Sequence, residues 1–252
     1  MEKQEALLEY CLRLGDNSLI LGHRISEWCG HGPILEEDIA LTNIALDLVG
    51  QARTLLTYAG EVEGKGRTED DLAYLRQVRE YRNCLLLEQE NGDFARTIVR
   101  QFLFDSYHVP FLEALRSSTD TTLAAFAEKS LKEATYHLRH SSEWMIRLGD
   151  GTEESKTRVQ GALNELWMYS GELFETDEVE SVLQKEKIAP NMDAIKKTWT
   201  TNVAGILELA TLTQPEAGWM QSGGRTGKHS ELLGYILAEL QYVQRSYPGC
   251  EW

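Results

Sequence analysis

Apolar residues recur three and four positions apart over long stretches of the chain, and no tight-turn dipeptide joins two alternating runs. That period predicts helices and no sheet. A first helix is expected over 5–28, closed by Cys29-Gly30-His31-Gly32-Pro33, where glycine ends one helix and proline opens the next segment. A second is expected over 36–59, its acidic first turn (Glu36, Glu37, Asp38) favoured by the positive end of the helix dipole, with Gly60, Gly64 and Gly66 beyond it. A shorter third covers 69–80. After the Asn91-Gly92-Asp93 turn a fourth runs over 94–116, and a fifth over 122–148 stops at Gly149-Asp150-Gly151. Further helices are expected near 153–175, 177–186, 192–212 and 230–246. No repeat, low-complexity tract or linker interrupts the series. The pattern therefore predicts one all-α domain, residues 1–252, in which later helices pack against a bundle of long ones.

Composition narrows the partners. Lys and Arg number 25 against 40 Asp and Glu, a formal charge of −15, and 42% of residues are hydrophobic. Such an acidic chain is a poor match for nucleic acid or an anionic membrane surface, both of which call for clustered Lys and Arg. No run approaches the ~18 to 20 apolar residues of a membrane helix, and the N-terminus lacks the pattern of a secretory signal. Cys11, Cys29, Cys84 and Cys250 lie far apart with no C-x-x-C pair, as expected of free or buried thiols in a reducing compartment. A cytoplasmic location is the expectation.

Candidate chemistry lies where polar residues interrupt apolar faces. In the fourth helix Phe94, Ile98, Gln101, Asp105, His108, Leu112 and Leu115 share one stripe, with Asp105 and His108 at a spacing that lets their side chains converge. The fifth helix places His137 and Ser141 on an otherwise apolar face, with Glu133 one turn before His137. The second carries Ala40, Asn43, Asp47, Gly50 and Thr54 as a polar stripe through a largely apolar segment. Three helices are thus expected to bring carboxylate, imidazole and amide groups toward a shared interior.

That arrangement approaches the di-iron pattern of ferritin-like proteins, in which two helices each supply a Glu and two others a Glu-x-x-His. It falls short of it. Asp47-x-x-Gly50 lacks the imidazole, Glu133-x-x-x-His137 is one residue too long, and Asp105-x-x-His108 carries the shorter acid. Three readings stay open: buried polar networks in which each carboxylate is paired, one metal at a reduced site, or a di-iron oxygenase. The first fits the missing ligands best. Elsewhere, residues 223–230 suggest a phosphate loop but lack a glycine at Ser222 and a Ser or Thr at His229, so a glycine-rich turn before a helix cap is the simpler reading. Trp144, Trp167, Phe174 and Trp199 read as packing.

Longer segments carry a resemblance. Arg13-Leu14-Gly15-Asp16-Asn17, Glu27-Trp28-Cys29-Gly30-His31, Leu46-Asp47-Leu48 and Gly50-Gln51-Ala52-Arg53 stand in the first part. Glu88-Gln89, Asn91-Gly92, Lys132-Glu133-Ala134 and Tyr136-His137-Leu138-Arg139 follow, with Gly223-Gly224, Gly227, His229, Leu233-Gly234, Pro248-Gly249 and Trp252 near the end. Together they resemble the C subunits of the phenylacetyl-CoA epoxidase family along essentially the whole chain. The resemblance implies a ferritin-like four-helix bundle with additional C-terminal helices, in a multicomponent oxygenase of aerobic phenylacetate breakdown. It implies a catalytic A subunit as partner, which holds the di-iron site and the CoA-thioester pocket. This chain would then be a structural subunit, not catalytic by itself and without its own cofactor, and self-association would be open to it when alone. Asp47, Asp105, His108, Glu133 and His137 would be remnants of a lost metal site. The rival expectation is a stand-alone di-iron or single-metal oxidase.

Overall fold

The computed structural model describes residues 1–216 and 218–250. Among them lie ten α-helices, five short 3-10 turns and no strand, so the all-α class is as the periodicity predicts. The long helices are consistent with a ferritin-like bundle. Their contacts group into two compact units: Met1–Glu90 with Glu178–Val182 and Gly223–Trp252, and Asn91–Asp177 with Leu183–Ser222.

In the first unit, α1 (Lys3–Ser26) and α2 (Leu35–Glu63) form a long hairpin. A Cβ at Gly15 would come within 2.9 Å of Leu56, and one at Gly22 within 3.2 Å of Leu48, so these glycines let the helices approach closely. α2 continues past the expected stop at Gly60, whose missing side chain leaves room for the Arg67 carbonyl. The helix closes instead at Gly64, which is left-handed with φ 68° and donates its N–H to the Gly60 carbonyl at 3.1 Å.

Every residue from Tyr10 to Gly22 is buried, so α1 has no solvent face there. Its charges must be answered inside the protein. Asp16 accepts from Arg76 Nη1 at 2.9 Å and from the Arg82 backbone N–H at 2.8 Å. Arg76 also donates to the Glu80 carbonyl at 3.0 Å and lies 4.3 Å from the centre of the Tyr81 ring. These demands break the helix expected over 69–80: α3 spans only Glu69–Tyr74, and Val78–Glu80 and Leu85–Glu88 follow as 3-10 turns. Arg13 pairs with Glu180 at 3.1 Å, and Glu180 also receives Arg225. Glu180 lies near the start of α7 (Glu178–Lys185), whose first residues group with this unit.

In the second unit, α4 (Phe94–Leu115) and α5 (Thr121–Gly149) form another hairpin, joined by α6 (Glu153–Leu166) and α8 (Met192–Leu209). α6 ends well before the expected residue 175, giving way to 3-10 turns at Trp167–Tyr169 and Gly171–Phe174. There Trp167 and Phe174 pack on Trp199 at ring separations of 5.4 and 5.2 Å, and the Trp199 indole donates to the Leu103 carbonyl at 3.0 Å. These three aromatic residues are core, as their sequence context suggests, while Trp144 is half-buried and packs edge-on to Phe94 at 4.9 Å. The chain ends with α9 (Glu231–Leu240) and α10 (Tyr242–Ser246), both in the first unit. All four cysteines are free thiols, Cys11 and Cys84 buried, Cys29 and Cys250 exposed. No helix among the described residues is long and apolar enough to cross a membrane.

The Asp16–Arg76 pair should dominate the stability of the first unit, because each partner is almost wholly removed from water. Asp16→Ala leaves the guanidinium buried without a counter-charge and is expected to cost about 3 to 5 kcal/mol in urea unfolding. A loss under about 1 kcal/mol, the scale of an exposed pair, would contradict this.

Candidate functional site

The polar cluster foreseen on the fourth and fifth helices exists, inside the α4–α5 hairpin, but with a different set of partners. Asp105 is wholly buried in the middle of α4. One turn earlier, Gln101 donates through Nε2 to Asp105 Oδ1 at 2.7 Å, and from α5 Ser141 donates through Oγ to Oδ2 at 2.8 Å. Both carboxyl oxygens are therefore engaged by neutral donors. Burial raises the Asp105 pKa, and the pull of His137 and the two hydrogen bonds offsets this only in part, so the group is pushed up to about 6.

His137, on α5, is also fully buried and interacts electrostatically with both Asp105 and His108. His108 does not make the pairing its spacing from Asp105 suggests. Its ring lies tilted against Phe104 at 4.9 Å, and its Nδ1 has no hydrogen-bond partner. Burial, reinforced by His137, pushes its pKa down to about 3. Gln101 Oε1 is likewise buried without a partner. Glu133, one turn before His137, is half-buried.

The second helix departs from expectation. Asn43, Gly50 and Thr54 are exposed and Asp47 is half-buried, so this stripe does not line an interior. The cause is the competing apolar face: Leu41, Ile44, Leu48, Leu55 and Leu56 are all buried, and they fix the rotation of α2. Among the described residues, no group of three or more His, Cys, Asp and Glu is placed to hold a metal ion. The residues do not fit a di-iron centre, because Asp105 is committed to Gln101 and Ser141 and Asp47 lies on a helix turned outward.

The glycine-rich segment serves packing. A Cβ at Gly224 would meet the Asn83 carbonyl at 2.1 Å, and one at Gly227 the Arg79 carbonyl at 2.3 Å. The N-terminus of α9 is already filled from within the chain, since the Ser230 N–H donates to Glu88 Oε1 at 2.8 Å. His229 sits between the Glu88 carboxyl, 3.1 Å from Nδ1, and the Tyr81 carbonyl, 3.0 Å from Nε2. The carbonyl can only accept, so Nε2 donates to it. Periodicity gave no sign of Glu88, Glu180 or Arg76 as buried groups. The one available signal was the density of charged and amide residues in Arg13-Leu14-Gly15-Asp16-Asn17 within an otherwise apolar helix.

The buried cluster makes a prediction about pH. A carboxyl group whose folded pKa lies above its ordinary value of 3.8 adds stability below about pH 4, and that contribution is lost as pH rises through about 6. His108 acts with the opposite sign: its ordinary value of 6.5 is lowered in the fold, so stability present at neutral pH declines as pH falls toward about 3. Asp105→Asn isolates the first effect. Relative to the parent protein, its unfolding free energy should rise between pH 4 and 7, by up to about 3 kcal/mol. Urea titrations at fixed ionic strength measure this, and a difference constant across that window would refute a carboxyl group that ionises near 6.

Comparison with known proteins places this cluster in context. Residues 1–252 match the family described as "Phenylacetic acid catabolic protein". The chain is also 48% identical over 246 residues to the C subunit of 1,2-phenylacetyl-CoA epoxidase from Escherichia coli (strain K12), covering 98% of this chain and 99% of that protein. The chain belongs to the phenylacetic acid catabolic protein family.

Proposed function

We propose that this chain is a structural, non-catalytic subunit of a 1,2-phenylacetyl-CoA epoxidase, a single ferritin-like domain that pairs with and supports the di-iron catalytic A subunit in cytoplasmic phenylacetate degradation. The identity to an epoxidase C subunit supports its membership of such a complex. The observation that carries the non-catalytic part is the state of Asp105, whose two oxygens are taken by Gln101 and Ser141. A buried carboxyl group already hydrogen-bonded on both oxygens to side chains of the same hairpin is poorly disposed to bridge hard iron ions. Asp47, Asp105, His108, Glu133 and His137 are then remnants whose present work is structural. The di-iron centre, the CoA-thioester site and the oxygen chemistry belong to the partner, and this chain contributes no cofactor.

The test joins metal content to assembly. Protein expressed with supplied iron and purified without chelator should hold far less than one iron per chain and should co-elute with the co-expressed catalytic subunit. Asp105→Asn should leave turnover of the assembled complex within about twofold, since a buried group that touches no substrate changes only stability. About two irons per chain, the content of a complete ligand set, would instead support a stand-alone oxidase.

A further inference from the structure

The outer face of α2 carries a run of exposed apolar residues. Leu35, Ile39, Leu46 and Val49 are 73, 53, 64 and 44% exposed. Together with Thr42 they step along the helix at intervals of four, three, four and three residues, which puts all five on one stripe. Fourteen residues separate Leu35 from Val49, so the stripe runs about 21 Å, close to four turns. Isolated exposed apolar residues are ordinary, and Leu209 on α8 is one. A continuous stripe is a recognition surface.

The spacing identifies the shape of what it fits. A seam of apolar residues at alternating three- and four-residue steps is complementary to another helix, whose side chains enter the holes between its own at a shallow crossing angle. Gly50, at the margin of the stripe, strengthens this: a Cβ there would meet nothing within 4 Å, so the adjoining surface is open to close approach.

Charge distinguishes a second copy of this chain from a different partner. The antiparallel register that sets Leu35 against Val49 and Ile39 against Leu46 also brings Asp47 of one copy to the edge of the seam that carries Glu36 of the other. Like charges would meet along that edge, between chains that each carry −15. Asp38, half-buried, lies on the opposite margin, while the cation at the far end, Arg53, is paired with Glu69 at 3.3 Å.

We propose that the outer face of α2 docks a helix of the catalytic subunit, one with an apolar seam at the same spacing and Lys or Arg along its edges. This rests on the subunit reading above and supplies its contact surface. The apolar seam provides the affinity and the acidic margin selects against self-pairing.

Binding of full-length chain to the catalytic subunit of the same epoxidase, followed by calorimetry and gel filtration, tests this. Leu46→Glu should weaken binding by ~30-fold or more, the scale of a central interface residue. Its own melting curve should be unchanged, because the side chain it replaces is exposed. Leu209→Glu, on another helix, should bind as the parent does. Glu36→Lys should bind more weakly at low salt and approach the parent at high salt. If Leu46→Glu binds like the parent while the parent binds well, this surface is wrong and the subunit reading stands. If Glu36→Lys changes nothing at low salt, the basic margin assigned to the partner is wrong. If the parent forms a dimer that Leu46→Glu dissociates, the occupant is a second copy and the proposal falls. If the parent does not bind the catalytic subunit at all, the subunit reading fails and takes this proposal with it.

Discussion

A charge taken out of water must meet its partner inside the protein, and that requirement shapes the path of the chain around α1. The helix is enclosed on every side from Tyr10 to Gly22, yet carries Arg13, Asp16 and Asn17 there, with Arg24 just beyond. Asp16 draws in Arg76 and the backbone of Arg82, which ends α3 early and turns the chain into short 3-10 segments. Asn17 accepts the Cys84 N–H at 2.8 Å, and Arg24 donates to the Glu88 carbonyl at 2.9 Å. Arg13 reaches Glu180, at 167 positions' remove, and Glu180 in turn holds Arg225. Glu88 then fixes His229 and Ser230. The first unit draws on three separate stretches of sequence, and the polar residues of one helix tie to two of them directly and to the third through Glu180 and Glu88.

The second unit answers its buried carboxyl group in a different way. Asp105 accepts from two neutral donors, one on each oxygen, and retains a proton into the range of pH 6. His108, in the same interior, is held neutral by burial. Burial opposes the charged form of each of these groups and neutral donors already fill the carboxyl oxygens, so residue types suited to metal binding persist there as hydrogen-bonding and packing elements. The number of carboxylates and imidazoles in a bundle is therefore a weak guide to metal. The donors already occupying them decide more.

Much of the fold was legible in the sequence, since the positions of the long helices follow from apolar periodicity and glycine or proline punctuation. The errors share one cause. Gly60 reads as a stop because spacing cannot show that the Arg67 carbonyl will pass over it, and 69–80 reads as one helix because nothing local reveals that Arg76 is needed by Asp16. In the site, Gln101, Asp105, His137 and Ser141 were visible as polar breaks in apolar stripes. The choice of Gln101 over His108 as the neighbour of Asp105 was not, because the residues three and four positions away are equally accessible along a helix and only the packing of α5 decides between them. For α2 the polar stripe was real and its direction was misread: the helix has two apolar faces, and the longer one went inward.

Those two faces explain how an acidic surface and an exposed apolar seam can coexist. The inner face, through Leu41, Ile44, Leu48, Leu55 and Leu56, belongs to the hairpin with α1 and sets the helix rotation. With that rotation fixed, Leu35, Ile39, Leu46 and Val49 have no place but the surface. Left alone, such a stripe favours self-association, since apolar burial does not discriminate among partners. Net charge does discriminate: copies that each carry −15 repel as they approach, and the acids beside the seam oppose one another in the register that would match it. An oppositely charged helix meets attraction on the same approach. The apolar seam sets how strongly the face binds, and the charges around it set what it binds.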